Sequence, residues 1–383
     1  MPSVEFSILS SDPSGARAGL IRTPYAELET PYFQPVATAG AIKGLSWRTV
    51  KALGYPHVLM NTYHLLMRPG IERLRELDGA DGALRRFTGW GGGILTDSGG
   101  YQVFSLSKKC EINEWGVAFQ SHIDGSVHAF TPKSVAEAQA VFGSDIAMPL
   151  DVCSEHTAGR EKAAADLDLT TRWLRESRKW WGKCARPGAA MFGIIQGGLF
   201  EDLRETAAAD AVALDFPGYA AGGLSVGESD ADFFRVARLT AALLPDVKPR
   251  YLMGVGTPAD LIRAIGWGYD LFDCVLPTRM ARHHVAYTRF GKVDLRRSEY
   301  AADESPLDPE CRCPVCRDHT RAYLSHLVKL HEINAPVLLT LHNLHFFREL
   351  VKKARSAALR GAYRSFARRW LKRLGEWRPD VDG

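Results

Sequence analysis

The chain predicts an α/β protein, a (β/α)8 TIM barrel with a further subdomain near its C-terminal end. Three observations lead there. A short apolar run, a Gly-rich or polar turn and an amphipathic helix recur eight times over about 250 residues. Polar residues and glycines stand at the ends of those runs. A cysteine cluster, Cys311-Arg-Cys313-Pro-Val-Cys316, follows the last of them. An open doubly wound sheet is the alternative, and periodicity alone does not exclude it.

Taken in order, residues 4–30 alternate short β-like runs with turn residues and read as a small β-ribbon ahead of the barrel. The expected barrel strands are Tyr32–Val36, His57–Met60, Gly93–Thr96, Ile146–Leu150, Met191–Ile195, Tyr219–Gly222, Tyr251–Gly254 and Leu271–Val275. Expected helices are Trp47–Leu53, Ile71–Leu77, Ser134–Phe142, Glu161–Trp181, Phe200–Leu214, Ala231–Leu243 and Pro258–Gly266. Ser46 can cap the first, and Thr131-Pro132 precedes the third. The stretch from Ser98 to Phe130 is long for one loop and is expected to hold a hairpin that serves as a lid. Residues 1–300 are read as the catalytic barrel and 301–383 as the subdomain with basic helices.

The chain has 383 residues, 46% hydrophobic and 24% charged, enough for one large core and an appendage. The start shows no basic segment followed by an apolar run, and no stretch approaches the about 18 apolar residues of a membrane span. A soluble, cytoplasmic protein is expected. Net charge is +4, but Cys311 to the end carries 15 Lys+Arg against 6 Asp+Glu. That basic tail favours an anionic partner such as nucleic acid. Seven cysteines without regular spacing argue for a reducing compartment and a metal site rather than a disulfide framework.

In such barrels the active site lies at the C-terminal ends of the strands. Strand 3 ends in Asp97, strand 4 in Asp151 and strand 5 in Gln196. Strand 6 ends in the turn Gly222–Glu228, strand 7 at Met253, and strand 8 carries Asp273. Singly, each reads as a helix cap or turn residue; together they place three carboxyl groups around one mouth. Two carboxylates across a ring can break a glycosidic bond, one as nucleophile and one as general acid/base. A third Asp with a Gln can read a heterocyclic base, and Tyr101 and Met253 can pack on its faces. Which of Asp97 and Asp273 attacks is left open by the residues themselves.

Asp273 opens a distinctive stretch. Pro277 is expected to stop its strand, and Arg279, Arg282, His283 and His284 follow as a basic loop suited to a polyanion. The cysteine cluster is followed 26 positions later by His342, giving Cys311, Cys313, Cys316 and His342 as ligands of a closed, structural zinc site, with His319 and His345 as rival fourth ligands. Residues 348–378 are helical in pattern. Their polar face, with Lys352, Lys353, Arg355, Arg360, Arg364, Arg368, Arg369, Lys372 and Arg373, is expected to meet phosphates rather than only water.

Six segments, GGILTDSGGYQVFSL, FGIIQGG, GGLSVGE, YLMGVGTP, FDCVLPTRMARH and CRCPVC followed by LHN, closely resemble in this order the queuine tRNA-ribosyltransferase (tRNA-guanine transglycosylase) family. The resemblance covers nearly the whole chain. It implies a (β/α)8 barrel with a structural Zn2+ and usually a homodimer. It implies that Asp273 attacks C1′ of guanosine 34 in a tRNA anticodon loop, and that Asp97 is the general acid/base. Asp151, Gln196 and the backbone of Gly223 and Leu224 would bind the base, Tyr101 and Met253 would stack on it, and Glu228 would support the pocket. Arg279 and Arg282 would contact the uridines flanking position 34. Cys153 and Val226 look bacterial, which favours preQ1 over queuine as the incoming 7-deazaguanine. A non-catalytic accessory subunit would lack the carboxylates retained here, and a metal-dependent barrel hydrolase would need His and Asp ligands where strand 1 instead ends Gln34-Pro35-Val36.

Overall fold

A computed structural model of the chain describes residues 4–106 and 109–382. An antiparallel three-stranded sheet, Glu5–Ser11, Arg17–Thr23 and Ala26–Thr30, comes first. The barrel strands follow: β1 Tyr32–Gln34, β2 His57–Met60, β3 Gly93–Thr96, β4 Ile146–Ala147, β5 Ala190–Met191 with Gly193–Ile195, β6 Tyr219–Ala221, β7 Arg250–Leu252 and β8 Leu271–Asp273. Parallel pairing runs β2-β3-β4-β5 and β5-β6-β7-β8-β1. A parallel bridge from Val36 to Leu59, with Ala37 N–H donating to Leu59 O at 2.7 Å, joins β1 to β2 and closes the ring. The open-sheet alternative is thereby excluded.

The strands are nearly all buried, which is why they read as continuous apolar runs rather than alternating ones. Several end earlier than their hydrophobicity suggests: β4 stops at Ala147 and β8 at Asp273. The residues beyond leave the ladder to enter the loops of the barrel mouth. The opposite end is tied by Arg17 of the N-terminal sheet, which ion-pairs with fully buried Asp270 just before β8.

The expected helices are present, the third with a Thr131–Ser134 capping box and the first capped by Ser46. The segment 98–130 gives a helix, Gly100–Leu106, and a three-stranded antiparallel sheet, Cys110–Asn113, Gly116–Gln120 and Val127–Phe130. One expectation is corrected and one is sharpened. The basic segment after Asp273 is a helix, Leu276–Arg282, because Pro277 falls in its first turn, where a missing N–H costs nothing. The tail is two helices, Asn334–Leu359 and Tyr363–Leu374, broken at Gly361, whose φ is +65°.

These two helices form a hairpin along the barrel. His342 and Asn343 lie beside Val285 and Tyr287, whereas Arg355 reaches Gly19 O and Thr30 O just ahead of β1. The chain then returns: Tyr363 bonds to Ile262 O, and Leu374 and Glu376 share a hollow with Thr257 and Asp260. Arg355 is therefore buried as a strut and leaves the exposed cationic face predicted for it. A second apolar cluster joins Ala281, Val293 and Leu295 to Leu307, Val315, Leu324, Leu327 and Leu339 around the cysteine loop.

Candidate active site

Asp97 follows β3 and is held from the neighbouring strand end. It accepts the side-chain amide of Asn61 and, at 2.9 Å, the Thr62 N–H, while the Thr62 hydroxyl bonds to its carbonyl at 2.6 Å. Asn61 also caps the helix Thr62–Met67, so one residue sets both that helix and the carboxylate. Burial pushes the Asp97 pKa up to about 7, opposed by the Thr62 N–H and increased by the charge of Asp273.

Asp273 ends β8. Its Oδ1 accepts the Tyr251 hydroxyl at 2.6 Å and the Gly254 N–H at 2.9 Å. Burial raises its pKa, and these two donors oppose the rise. The two carboxyl groups thus sense each other but are held by different donor sets.

Asp151 lies deeper, beyond β4. It accepts Ser98 Oγ at 3.0 Å and Gln196 Nε2 at 2.7 Å. Burial raises its pKa against both bonds. Gly100 must be small here, since a Cβ would stand 3.0 Å from Asp151 O. Next to it, burial and the Asp151 charge push the Cys153 thiol up to about 12, so it stands in the wall as a neutral group.

The turn after β6 closes this side. Gly223 has φ +67°, and a Cβ on it would stand 2.3 Å from Gln196 Oε1, so only glycine fits. Glu228 accepts the Ser225 and Val226 N–H groups, pinning a turn in which Ser225 also has a positive φ. Leu224 is buried at its base. Met253, half-buried, immediately precedes Gly254. Tyr101 presents a half-exposed ring from the helix that follows Asp97. Arg279 and Arg282 are exposed on the helix that follows Asp273.

Away from the mouth, Cys311, Cys313, Cys316 and His342 are all buried, and their ligand atoms lie within 4.8 Å of one another. His342 Nε2–H donates to Tyr287 O at 2.8 Å, which turns Nδ1 toward Cys316 Sγ at 3.3 Å and Cys313 Sγ at 3.4 Å. A fixed tautomer facing three thiols is a donor set for a tetrahedral soft-metal site. His342 rather than His319 or His345 completes the cluster.

The family model described as queuine tRNA-ribosyltransferase matches residues 12–376. The chain belongs to that family. It is 48% identical over 371 residues to a queuine tRNA-ribosyltransferase of Pelotomaculum thermopropionicum, covering 97% of this chain and 98% of that one. It is 48% identical over 341 residues to that of Rickettsia prowazekii, covering 89% and 93%. With a relative of the same name from a Thermoanaerobacter species it shares 44% over 376 residues, 98% and 99% of the two chains.

In this family member, Asp151, Gln196 and Gly223 meet directly and Asp97 feels the charge of Asp273, whereas Met253 and Tyr101 are placed only by the elements that carry them. Sequence reading missed the groups that hold them: Asn61, Thr62, Ser98, Tyr251 and Gly254. Asn61 and Thr62 carried a signal, because they directly follow the apolar run of β2. Tyr251 carried none, since an aromatic inside a strand reads as core. No helix among the described residues is long and apolar enough to cross a membrane.

Proposed function

We propose that this protein exchanges guanine 34 in the anticodon loop of G-U-N tRNAs for the 7-deazaguanine preQ1, through a covalent ribosyl-Asp273 intermediate. A carboxylate oxygen of Asp273 attacks C1′. The new C–O bond forms as the C1′–N9 bond breaks, and guanine leaves with the electron pair and a proton from Asp97. PreQ1 then takes the vacated site. Asp97, now ionised, accepts its N9 proton; N9 attacks C1′ and the ester bond to Asp273 breaks. Two displacements give net retention and ping-pong kinetics.

The observation that carries this reading is the unequal treatment of the two carboxyl groups. Asp97 has its pKa raised to about 7, in part by the charge of Asp273, and so exchanges a proton readily at neutral pH. Burial raises the Asp273 pKa too, but its two donors oppose that rise and crowd onto one oxygen, which leaves the other without a protein donor among the described residues for the role of nucleophile.

In this reading Asp151, Gln196 and the Gly223–Leu224 backbone bind the base, with Tyr101 and Met253 on its faces and Glu228 bracing the turn. Cys153 and Val226 line the wall that favours preQ1. Arg279 and Arg282 take the uridines beside position 34. The Cys3His cluster binds one structural Zn2+ in the subdomain of residues 301–383, and the enzyme works as a cytoplasmic homodimer.

The test is incorporation of radiolabelled guanine into an unmodified tRNA with a G-U-N anticodon, with preQ1 and queuine as competitors. Incorporation with competition by preQ1 alone is expected. Competition by queuine would assign a wider pocket, and no incorporation by folded, zinc-loaded protein would refute base exchange.

A further inference from the structure

Arg204, on the helix Glu201–Ala213, is fully buried and makes no ion pair among the described residues. It is held by three carbonyls instead. Its Nε donates to Gly198 O at 2.9 Å, and its Nη1 donates to Ile195 O at 3.0 Å and Gly222 O at 2.9 Å. Its Nη2 has no partner among the described residues. Burial pulls its pKa down to about 10, which leaves it a cation at neutral pH.

Two of those carbonyls directly precede residues of the base site. Ile195 precedes Gln196, and Gly222 precedes Gly223. In a trans peptide the C=O and N–H point in opposite directions. Drawing the Gly222 carbonyl toward Arg204 therefore turns the Gly223 N–H away from it, and that N–H has no partner of its own among the described residues. Gln196 Oε1 is unpartnered at the same place, and a Cβ on Gly223 would stand 2.3 Å from it and 3.6 Å from Arg204 Nη2. A positive charge thus stands behind the Gly222–Gly223 peptide, with the idle Gln196 Oε1 packed against its glycine.

A strut for two loops would account for the three carbonyls. It does not account for a buried charge that no carboxylate pairs directly among the described residues, the Glu228 charge reaching it only through space, an arrangement that costs stability unless it serves something. Base exchange supplies the need. When the C1′–N9 bond breaks, its electron pair goes to the ring of the departing base, and the incoming base carries the same charge once N9 is deprotonated. A hydrogen bond from a peptide whose carbonyl faces a cation is a stronger donor to such a ring.

We propose that Arg204 is a positioning residue for the base: it turns and polarises the Gly222–Gly223 peptide so that the Gly223 N–H and the positive field behind it stabilise the charge on the departing and incoming bases. This rests on the base-exchange reading above.

The test compares wild type, Arg204→Lys and Arg204→Gln in steady-state guanine exchange, with circular dichroism to establish folding. Wild-type incorporation is measured first, since its absence refutes the parent reading without reference to Arg204. With wild type active, the KM for guanine should rise by about tenfold in both variants, the energy of one misdirected hydrogen bond, while the KM for tRNA stays within about twofold. The kcat should fall by about 100-fold in Arg204→Gln and less in Arg204→Lys, which keeps the charge. If Arg204→Gln does not fold, Arg204→Lys decides through its guanine KM. An unchanged guanine KM in a folded variant, or equal rises in both KM values, overturns the proposal.

Discussion

The Tyr251 hydroxyl donates to Asp273 Oδ1 at 2.6 Å, on the same oxygen that receives the Gly254 N–H. Oδ2 has no protein donor among the described residues, so in the proposed reaction it is the oxygen free to meet C1′. Burial and the Asp273 charge push the Tyr251 pKa well above the usual tyrosine range, so Tyr251 remains a donor at every working pH.

Tyr251→Phe removes that donor with little loss of volume. A donor to an ionised carboxylate lowers its pKa, so the Asp273 pKa should rise. The acid limb of the exchange rate should move to higher pH, and kcat should fall by about ten- to a hundredfold at neutral pH. A pH–rate profile whose acid limb stays in place would remove Tyr251 from the chemistry.

Asp97 predicts a trade between activity and stability. Its pKa is raised from an unfolded value of 3.8 to about 7. Between those values the folded state binds more protons than the unfolded one, so this group's contribution is lost as pH rises from about 4 to about 7. Asp97→Asn should abolish exchange yet melt at a higher temperature than wild type at pH 8, with the difference disappearing near pH 4. The gain should be on the order of 1 kcal/mol or more. Equal pH dependence of melting in the two proteins would show that Asp97 is not strained in the fold.

Why the site was legible, and where legibility stopped, follows from the barrel. Strand interiors were plain because they are buried on both faces and so appear as unbroken apolar runs. Strand ends were plain because Asp97, Asp151, Gln196 and Asp273 each break such a run at a glycine-rich or polar turn. Supporting groups act across strands, and a one-dimensional pattern holds no record of which side chains meet. Asn61 with Asp97, Tyr251 with Asp273 and Arg204 with Gly222 are all pairings of this kind. In the tail, Arg355 alone departs from the exposed face read for it. Its cations share one composition, but Arg355 meets the Gly19 and Thr30 carbonyls of the N-terminal sheet and becomes a buried strut, while Lys372 and Arg373 stay exposed.

The Cys3His cluster predicts a metal dependence of structure rather than of chemistry. His342 reaches Tyr287 O through Nε2, and the cysteine loop sits within the second apolar cluster. Zinc removal or Cys316→Ser should loosen this region and lower the melting temperature, and the intact protein should hold about one zinc per chain by elemental analysis. Added zinc should not raise kcat in already loaded protein. Full metal content in Cys316→Ser would exclude that thiol as a ligand.

Cations at the two ends of the barrel should behave differently toward tRNA. Arg279 and Arg282 are exposed on the helix that begins three residues after Asp273, at the mouth. Lys352 is equally exposed but lines a groove with Glu29, Tyr32 and Arg348, beside the residues that lead into β1 at the far end. Neutralising both arginines with Gln should weaken tRNA binding and flatten its log–log salt dependence by about one unit for each phosphate that is no longer neutralised. Lys352→Gln should leave both unchanged, because an anticodon loop seated over Asp273 is separated from that groove by the length of the barrel. Fluorescence titrations of tRNA at several salt concentrations measure both slopes. A slope that falls with Lys352→Gln and not with the arginine pair would place the RNA along the tail helices instead of across the mouth.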